Sequence, residues 1–332
     1  MDQHAFDAEL VKRYDGPGPR YTSYPTAVQF HEGYGVEDYR RLARASNDAP
    51  GRRPLSLYVH VPFCHSLCYY CGCHKIVTRT PGVAQEYLDY LLREAGLHAE
   101  LYDDSRPVVQ LHFGGGTPTY LTADEMESLV GGLGQRFRLA TDEEHEFSIE
   151  IDPRSTDANM LAVLGRLGFN RLSMGIQDFD PRVQRAVNRV QPADETLALI
   201  HGARDAGFLS VSVDLIYGLP LQDLAGFRRT LETVVAARPD RLAVYNYAHL
   251  PRMFRAQRLI REEDLPSPAT KLELLGMTID FLTAEGYEYI GMVHFALPED
   301  DLVKARTNGS LHRNFQGYST YADHDLIGLG VS

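Results

Sequence analysis

From residue 55 onward, short apolar runs alternate with longer stretches in which apolar residues recur at helical spacing. The apolar runs predict strands over 55–61, 108–113, 147–151, 171–175, 210–215 and 241–245. Between them the spacing predicts helices over 84–102, 122–138, 155–167, 193–206 and 223–237, with Gly96 a weak point in the first. Pro192-Ala193-Asp194 and Ser267-Pro268 read as helix starts. Each strand–helix–strand unit is long enough for a right-handed crossover, so the strands are expected to be parallel. Six such units in a row predict an α/β fold, with a doubly wound sheet and an incomplete barrel both open on the alternation alone.

The residues that follow the strands favour the barrel. Polar or Gly/Pro-marked runs leave every one of them: His60-Val61-Pro62-Phe63-Cys64, Gly114-Gly115-Gly116-Thr117, Glu150-Ile151-Asp152-Pro153-Arg154, Gly175-Ile176-Gln177-Asp178, Asp214-Leu215-Ile216-Tyr217-Gly218 and Asn246-Tyr247-Ala248-His249. A β/α barrel assembles one site in this way, from the C-terminal ends of many strands, whereas a doubly wound sheet concentrates it at one switch point. The expectation is an incomplete parallel (β/α)6 barrel, open after six units. The run 287–296 reads as one further strand. Residues 1–50 carry few structural signals, and Gly16-Pro17-Gly18-Pro19-Arg20-Tyr21-Thr22-Ser23-Tyr24-Pro25 is expected to be irregular, either a mobile arm or a segment across the site's mouth.

Composition narrows the class. The chain has 332 residues, enough for one large domain or two small ones, with 44% hydrophobic and 23% charged residues, as in ordinary globular proteins. Apolar runs are too short for a membrane span. A net charge of −12 disfavours nucleic acid as a partner, and an anionic substrate would need a local cluster of cations.

The four cysteines fall in one ten-residue stretch, Cys64-His65-Ser66-Leu67-Cys68-Tyr69-Tyr70-Cys71-Gly72-Cys73. Three of them read C-x3-C-x2-C on the loop leaving the first predicted strand. Thiolates are the usual protein ligands of iron–sulfur clusters, and three of them leave one iron of a four-iron cluster open. An all-thiolate zinc site prefers two separated pairs of ligands. A disulfide pair disagrees with the absence of a secretory signal sequence. Cys73 reads as a packing or surplus thiol.

Other strand ends carry weaker signals. Gly114-Gly115-Gly116-Thr117 would let a ligand approach the backbone, but it is neither a Walker A motif nor a dinucleotide fingerprint. Glu150 and Asp214 are carboxylates able to accept from ribose hydroxyls or an ammonium. Gln177 and Arg189 are donors for a ribose or carboxylate. Tyr58 either points at the thiols or packs. The 13 histidines form no triad or metal spacing.

The cysteine spacing resembles the radical S-adenosylmethionine (SAM) superfamily. The match is narrower over 62–73, Arg20-Tyr21-Thr22-Ser23-Tyr24-Pro25, 170–175, 214–220 and His312-Arg313-Asn314-Phe315-Gln316-Gly317-Tyr318, which together resemble the oxygen-independent coproporphyrinogen III oxidase (dehydrogenase) family of haem synthesis. That resemblance implies a [4Fe–4S] cluster on Cys64, Cys68 and Cys71 and two SAM molecules. The first SAM would meet Tyr58, Gly115 and Glu150. The second would meet Tyr70, Gly116, Thr117, Gln177, Arg189, Asp214 and Ala248. It implies reductive cleavage of SAM to a 5′-deoxyadenosyl radical, hydrogen abstraction from propionate side chains of coproporphyrinogen III, and loss of CO2 to give the vinyl groups of protoporphyrinogen IX. Arg20, Lys75, Arg79 and Arg313 are candidate cations for the substrate carboxylates. A one-electron donor such as flavodoxin, a monomeric state and a cytoplasmic location complete the expectation. The domain division would be an N-terminal arm and entry segment at 1–50 and a radical SAM catalytic domain at 51–332. Family members continue into a mainly helical domain, with one more SAM contact just past Gly328-Leu329-Gly330-Val331-Ser332, so the chain reads as a catalytic-domain fragment. The alternatives are a radical-SAM-like haem chaperone, whose cysteine motif resembles Cys-Pro-Tyr-Cys-Asp instead, a radical SAM methyltransferase, and a zinc-bound structural protein.

Overall fold

The computed structural model describes residues 7, 9–10, 13, 29–48, 53–142, 145–314 and 317–331. The Arg20-to-Pro25 arm, and with it Arg20, lies outside the described residues. The first long helix, α1 (Val36–Asn47), falls inside the 1–50 stretch that gave few signals, and its one buried residue is Ala43. It is held by polar contacts rather than by an apolar stripe. Asn47 Nδ2 donates to the carbonyl of Leu101 (3.0 Å), and Tyr39 Oη pairs with His98 Nδ1 (2.6 Å).

Six parallel strands follow: β1 (Leu55–Val61), β2 (Pro107–Gly115), β3 (Glu146–Ile151), β4 (Arg171–Gln177), β5 (Ser210–Tyr217) and β6 (Arg241–Asn246). Each pairs with its predecessor in the chain. The crossovers carry α2 (Val83–Ala99), α3 (Ala123–Gly134), α4 (Ala158–Arg166), α5 (Pro181–Ala186), α6 (Ala193–Asp205) and α7 (Leu224–Ala236), and α8 (Pro268–Ala284) follows β6. Caps set several starts: Thr122 and Glu125 form a reciprocal capping box on α3, and Asp157, Asp223 and Ser267 each accept from a first-turn amide.

The run read as one strand over 287–296 is instead two, β7 (Glu288–Gly291) and β8 (His294–Ala296), antiparallel to each other, with β8 antiparallel to β6. Three successive residues with positive φ, Gly291, Met292 and Val293, turn the chain back where apolar periodicity alone gives no break. After α9 (Asp301–Asn308), β9 (Asp325–Leu329) lies parallel to β1 on the opposite edge. The sheet therefore runs β7-β8-β6-β5-β4-β3-β2-β1-β9 and stays open, the incomplete barrel the sequence predicts. Arg106 is buried and binds the carbonyl of Arg53, Ser46 Oγ, Asn47 Oδ1 and Asp325. One cation thus ties α1, the approach to β1 and the last strand.

Alternation along the middle strands positions the site. Phe147, Ile149 and Ile151 of β3, Leu172, Met174 and Ile176 of β4, and Val211, Val213 and Leu215 of β5 are buried in the main core with residues of α4, α6 and α7. Their neighbours, Glu146, Ser148, Glu150, Arg171, Ser173, Ser212 and Asp214, share the opposite face and line one cavity. The inner face of the sheet is thus polar along its length.

Candidate functional site

The cysteine loop is fastened by its backbone, which leaves its sulfurs available. After β1 the two-residue strand Phe63–Cys64 pairs with Ile76–Val77, closing the loop at its base. Tyr69 N donates to the carbonyl of Val187 (3.0 Å), and Asn188 Nδ2 to that of Leu67 (2.7 Å). Lys75 Nζ donates to the carbonyl of Cys71 (3.1 Å), and Arg79 Nε to that of His65 (3.2 Å). Gln257 Nε2 joins the carbonyls of Tyr70 (2.9 Å) and Ala248 (3.2 Å), tying the loop to the segment after β6. All four cysteines are free; Cys64 and Cys68 are buried, Cys71 is half-buried and Cys73 is exposed. Among the described residues no three His, Cys, Asp or Glu side chains converge as a single metal ion would need.

The glycine run at the end of β2 packs against this loop too closely for side chains. A Cβ at Gly116 would lie 2.6 Å from the carbonyl oxygen of Pro62. One at Gly115, where φ is +115°, would strike the His60 ring. Gly116 N donates to the Val61 carbonyl (2.9 Å), and Thr117 Oγ1 lies 3.4 Å from Cys64 Sγ.

Two cations stand behind the second cysteine. Arg154 Nη2 is 3.3 Å and Arg189 Nη1 3.6 Å from Cys68 Sγ. Both pair with Asp152, Arg189 Nη1 at 3.0 Å and Arg154 Nη2 at 2.6 Å. Burial acts to raise the Asp152 carboxyl, but the two guanidiniums outweigh it and hold it at about 2. Arg189 also donates to the Gly175 carbonyl (2.6 Å), while its buried Nε has no partner among the described residues. Gln177 takes a positive φ of 68° at the end of β4, and its buried Oε1 is likewise unpartnered. Asp214 accepts from Ser173 Oγ (3.2 Å); burial, and then the Glu150 charge, push its carboxyl up to about 7.

One cavity of about 210 Å³ gathers Cys64, Cys68, Cys71, Tyr70, Gly115, Gly116, Thr117, Glu150, Gln177, Arg189 and Asp214. Of the expected site residues, only Tyr58 and Ala248 fall outside its lining. Tyr58 pairs with His60 Nδ1 (3.0 Å) and stacks on His112, and burial with the Glu150 charge keeps its phenol protonated. Of the candidate cations Lys75 lines the cavity, Arg79 serves the loop backbone, and Arg313 stands elsewhere over the Tyr318 ring. Sequence reasoning did not single out Asp152, Arg154, Ser173 or Gln257. Asp152 and Arg154 stand in a strand-end run that was legible; Gln257 sits in a 3-10 turn with no pattern to mark it.

These residues fit an iron–sulfur cluster and its ligand. They offer three thiols beside two guanidiniums, a side-chain-free glycine ledge, and two buried polar atoms without partners among the described residues.

The chain matches the radical SAM superfamily over residues 58–234. It is 51% identical over 332 residues to the oxygen-independent coproporphyrinogen III oxidase of Pseudomonas aeruginosa, covering all of this chain and 72% of that protein. It is also 51% identical to the Escherichia coli protein of the same name, covering 71% of it. Its structure resembles that of the Escherichia coli coproporphyrinogen III oxidase, described as a radical SAM enzyme, with a TM-score of 0.91 over 98% of this chain and 72% of that one.

Proposed function

The chain belongs to the oxygen-independent coproporphyrinogen III oxidase family of the radical SAM superfamily, and on that premise we propose that it converts two propionate side chains of coproporphyrinogen III into the vinyl groups of protoporphyrinogen IX. The observation that carries this reading is the convergence of Cys64, Cys68 and Cys71 on one cavity with the glycine ledge and the unpartnered Gln177 and Arg189 atoms.

Cys64, Cys68 and Cys71 would hold the [4Fe–4S] cluster, and Arg154 and Arg189 would temper the charge on Cys68. The ledge of Gly115, Gly116 and Thr117 offers backbone groups to SAM, with Glu150 as acceptor for its ammonium and Tyr58 behind it. Gln177, Arg189 and Asp214, with Tyr70 and Ala248, are the groups for a second SAM. When bound, these cofactors would supply a 5′-deoxyadenosyl radical able to take a hydrogen atom from a propionate β-carbon, and loss of CO2 would then leave the vinyl group, the remaining electron passing to a one-electron acceptor. The protein binds the reactants in line and keeps water from the radical path. Asp214, held near neutrality, lines that path without presenting a full buried charge. A one-electron donor such as flavodoxin would reduce the cluster, and we place the enzyme in the cytoplasm as a monomer. Among the described residues no helix is long and apolar enough to cross a membrane.

The test is anaerobic turnover. The reconstituted protein, given dithionite, SAM and coproporphyrinogen III, is expected to yield the mono- and divinyl products by chromatography. S-adenosylhomocysteine in their place would identify a methyltransferase, and tight haem binding without product a carrier.

A further inference from the structure

Behind the thiol-lined cavity lies a second one, of about 180 Å³, formed by the polar inner faces of β2 to β6 and by the hairpin of His312–Asn314 with Gly317–Ser319. The two cavities share Glu150, Ser173 and Asp214, so the inner one opens onto the residues assigned above to SAM. Two of its cations are already matched. Arg171 pairs with Glu146 and Asp301 at 2.9 Å each, and Arg241 pairs with Asp300 at 2.8 Å. Arg313, on the hairpin beside the cavity and outside its lining, is different. Its guanidinium sits 4.7 Å over the ring of Tyr318, which lines the cavity. Its Nε and Nη1 are buried and have no hydrogen-bond partner among the described residues. Its charge reaches two further lining residues: burial raises the Tyr245 phenol and lowers the His294 imidazole, and Arg313 opposes the first and adds to the second.

Buried guanidinium donors are costly to leave unmade, and their fork matches a carboxylate. We propose that Arg313, with Tyr245 and Asn314 beside it, forms a carboxylate subsite that grips a propionate arm of the porphyrinogen. This rests on the function proposed above. Because the cavity shares Glu150, Ser173 and Asp214 with the thiol-lined one, an arm held here stays within reach of the residues assigned to SAM. The chemistry also says which arm. A carboxylate that leaves as CO2 would forfeit its ion pair with Arg313 as its charge disperses, so the clamp would oppose the reaction. Arg313 therefore holds a propionate that survives into the product, and it orients the ring so that a different arm meets the radical.

The experiment uses the reconstituted enzyme and the stable, fluorescent porphyrins coproporphyrin III and protoporphyrin IX. Arg313→Ala is expected to raise the Kd of both by about 10- to 100-fold, the loss of a charge-assisted pair. Arg313→Lys, which keeps the charge and loses the fork, should fall between. Iron content, melting temperature and the KM for SAM should stay as in the unmodified enzyme. Unchanged porphyrin affinity in both variants overturns the subsite. So does a rise in the KM for SAM alone, which would assign the carboxylate to SAM, and so does a loss restricted to coproporphyrin III, which would assign it to a reacting arm. An unmodified enzyme that binds neither porphyrin and turns over no coproporphyrinogen refutes the underlying function instead.

Discussion

Asp214→Asn separates what the site costs the fold from what it does. The carboxyl moves from 3.8 to about 7 on folding, because it is buried and faces Glu150. Near neutral pH the unfolded chain has released this proton and the folded chain still binds it. Stability then falls as pH rises, starting near pH 4 and levelling off above about pH 7. A shift of roughly three units at about 1.4 kcal/mol each amounts to on the order of 4 kcal/mol, an upper bound because water in the cavity can relax around the carboxyl. Asparagine keeps an oxygen for the Ser173 hydroxyl and removes the charge. The variant should match the unmodified protein below about pH 4, gain on it through the window, and hold a constant lead of up to about 4 kcal/mol above it. Urea unfolding at a series of pH values measures this directly. The same substitution should lower turnover at least about tenfold, because a carboxyl only partly ionised near pH 7 gives way to an amide that carries no charge toward a SAM hydroxyl. A stability lead independent of pH, or none at pH 8, would refute the reasoning.

Three further outcomes are expected. Gly116→Ala should lower the iron bound after reconstitution, because its Cβ meets the Pro62 carbonyl and must displace the cysteine loop; a full complement of iron would show that the loop yields. Arg189→Met leaves Asp152 with Arg154 as its one remaining guanidinium and should destabilise the fold by about 3 kcal/mol, read by thermal or urea unfolding, with the loss shrinking as pH falls toward 2 and Asp152 is protonated. Cys73→Ser should keep the iron and sulfide content of the unmodified protein, whereas Cys64→Ser, Cys68→Ser or Cys71→Ser should lose the cluster, as visible absorption would report.

The parallel core was legible because its strands are short apolar or alternating runs, and the longer crossover helices have their own spacing, several of them with a side-chain cap. The 287–296 hairpin was not, because its reversal depends on the backbone conformation of Gly291, Met292 and Val293 and not on polarity. The last strand was missed for another reason: its partner, β1, lies far back in the chain, and register with a distant strand leaves no local mark. At the site, the cysteines and glycines announced themselves by spacing and by the closeness of approach that glycine permits. The polar alternation Glu146-Phe147-Ser148-Ile149-Glu150 was equally visible, yet it was read only as a strand, so the inner cavity it lines went unforeseen. Asp152 and Arg154 acquire their meaning only when folding brings Arg189 and Cys68 to them.

The most direct test of the account is a single anaerobic preparation. The protein is reconstituted with iron and sulfide and reduced with dithionite; SAM and coproporphyrinogen III are then added, and metal, 5′-deoxyadenosine and vinyl product are counted together. The expected result is about four irons per chain with deoxyadenosine and vinyl groups formed in step. A colourless protein loaded with zinc would contradict the account at its root.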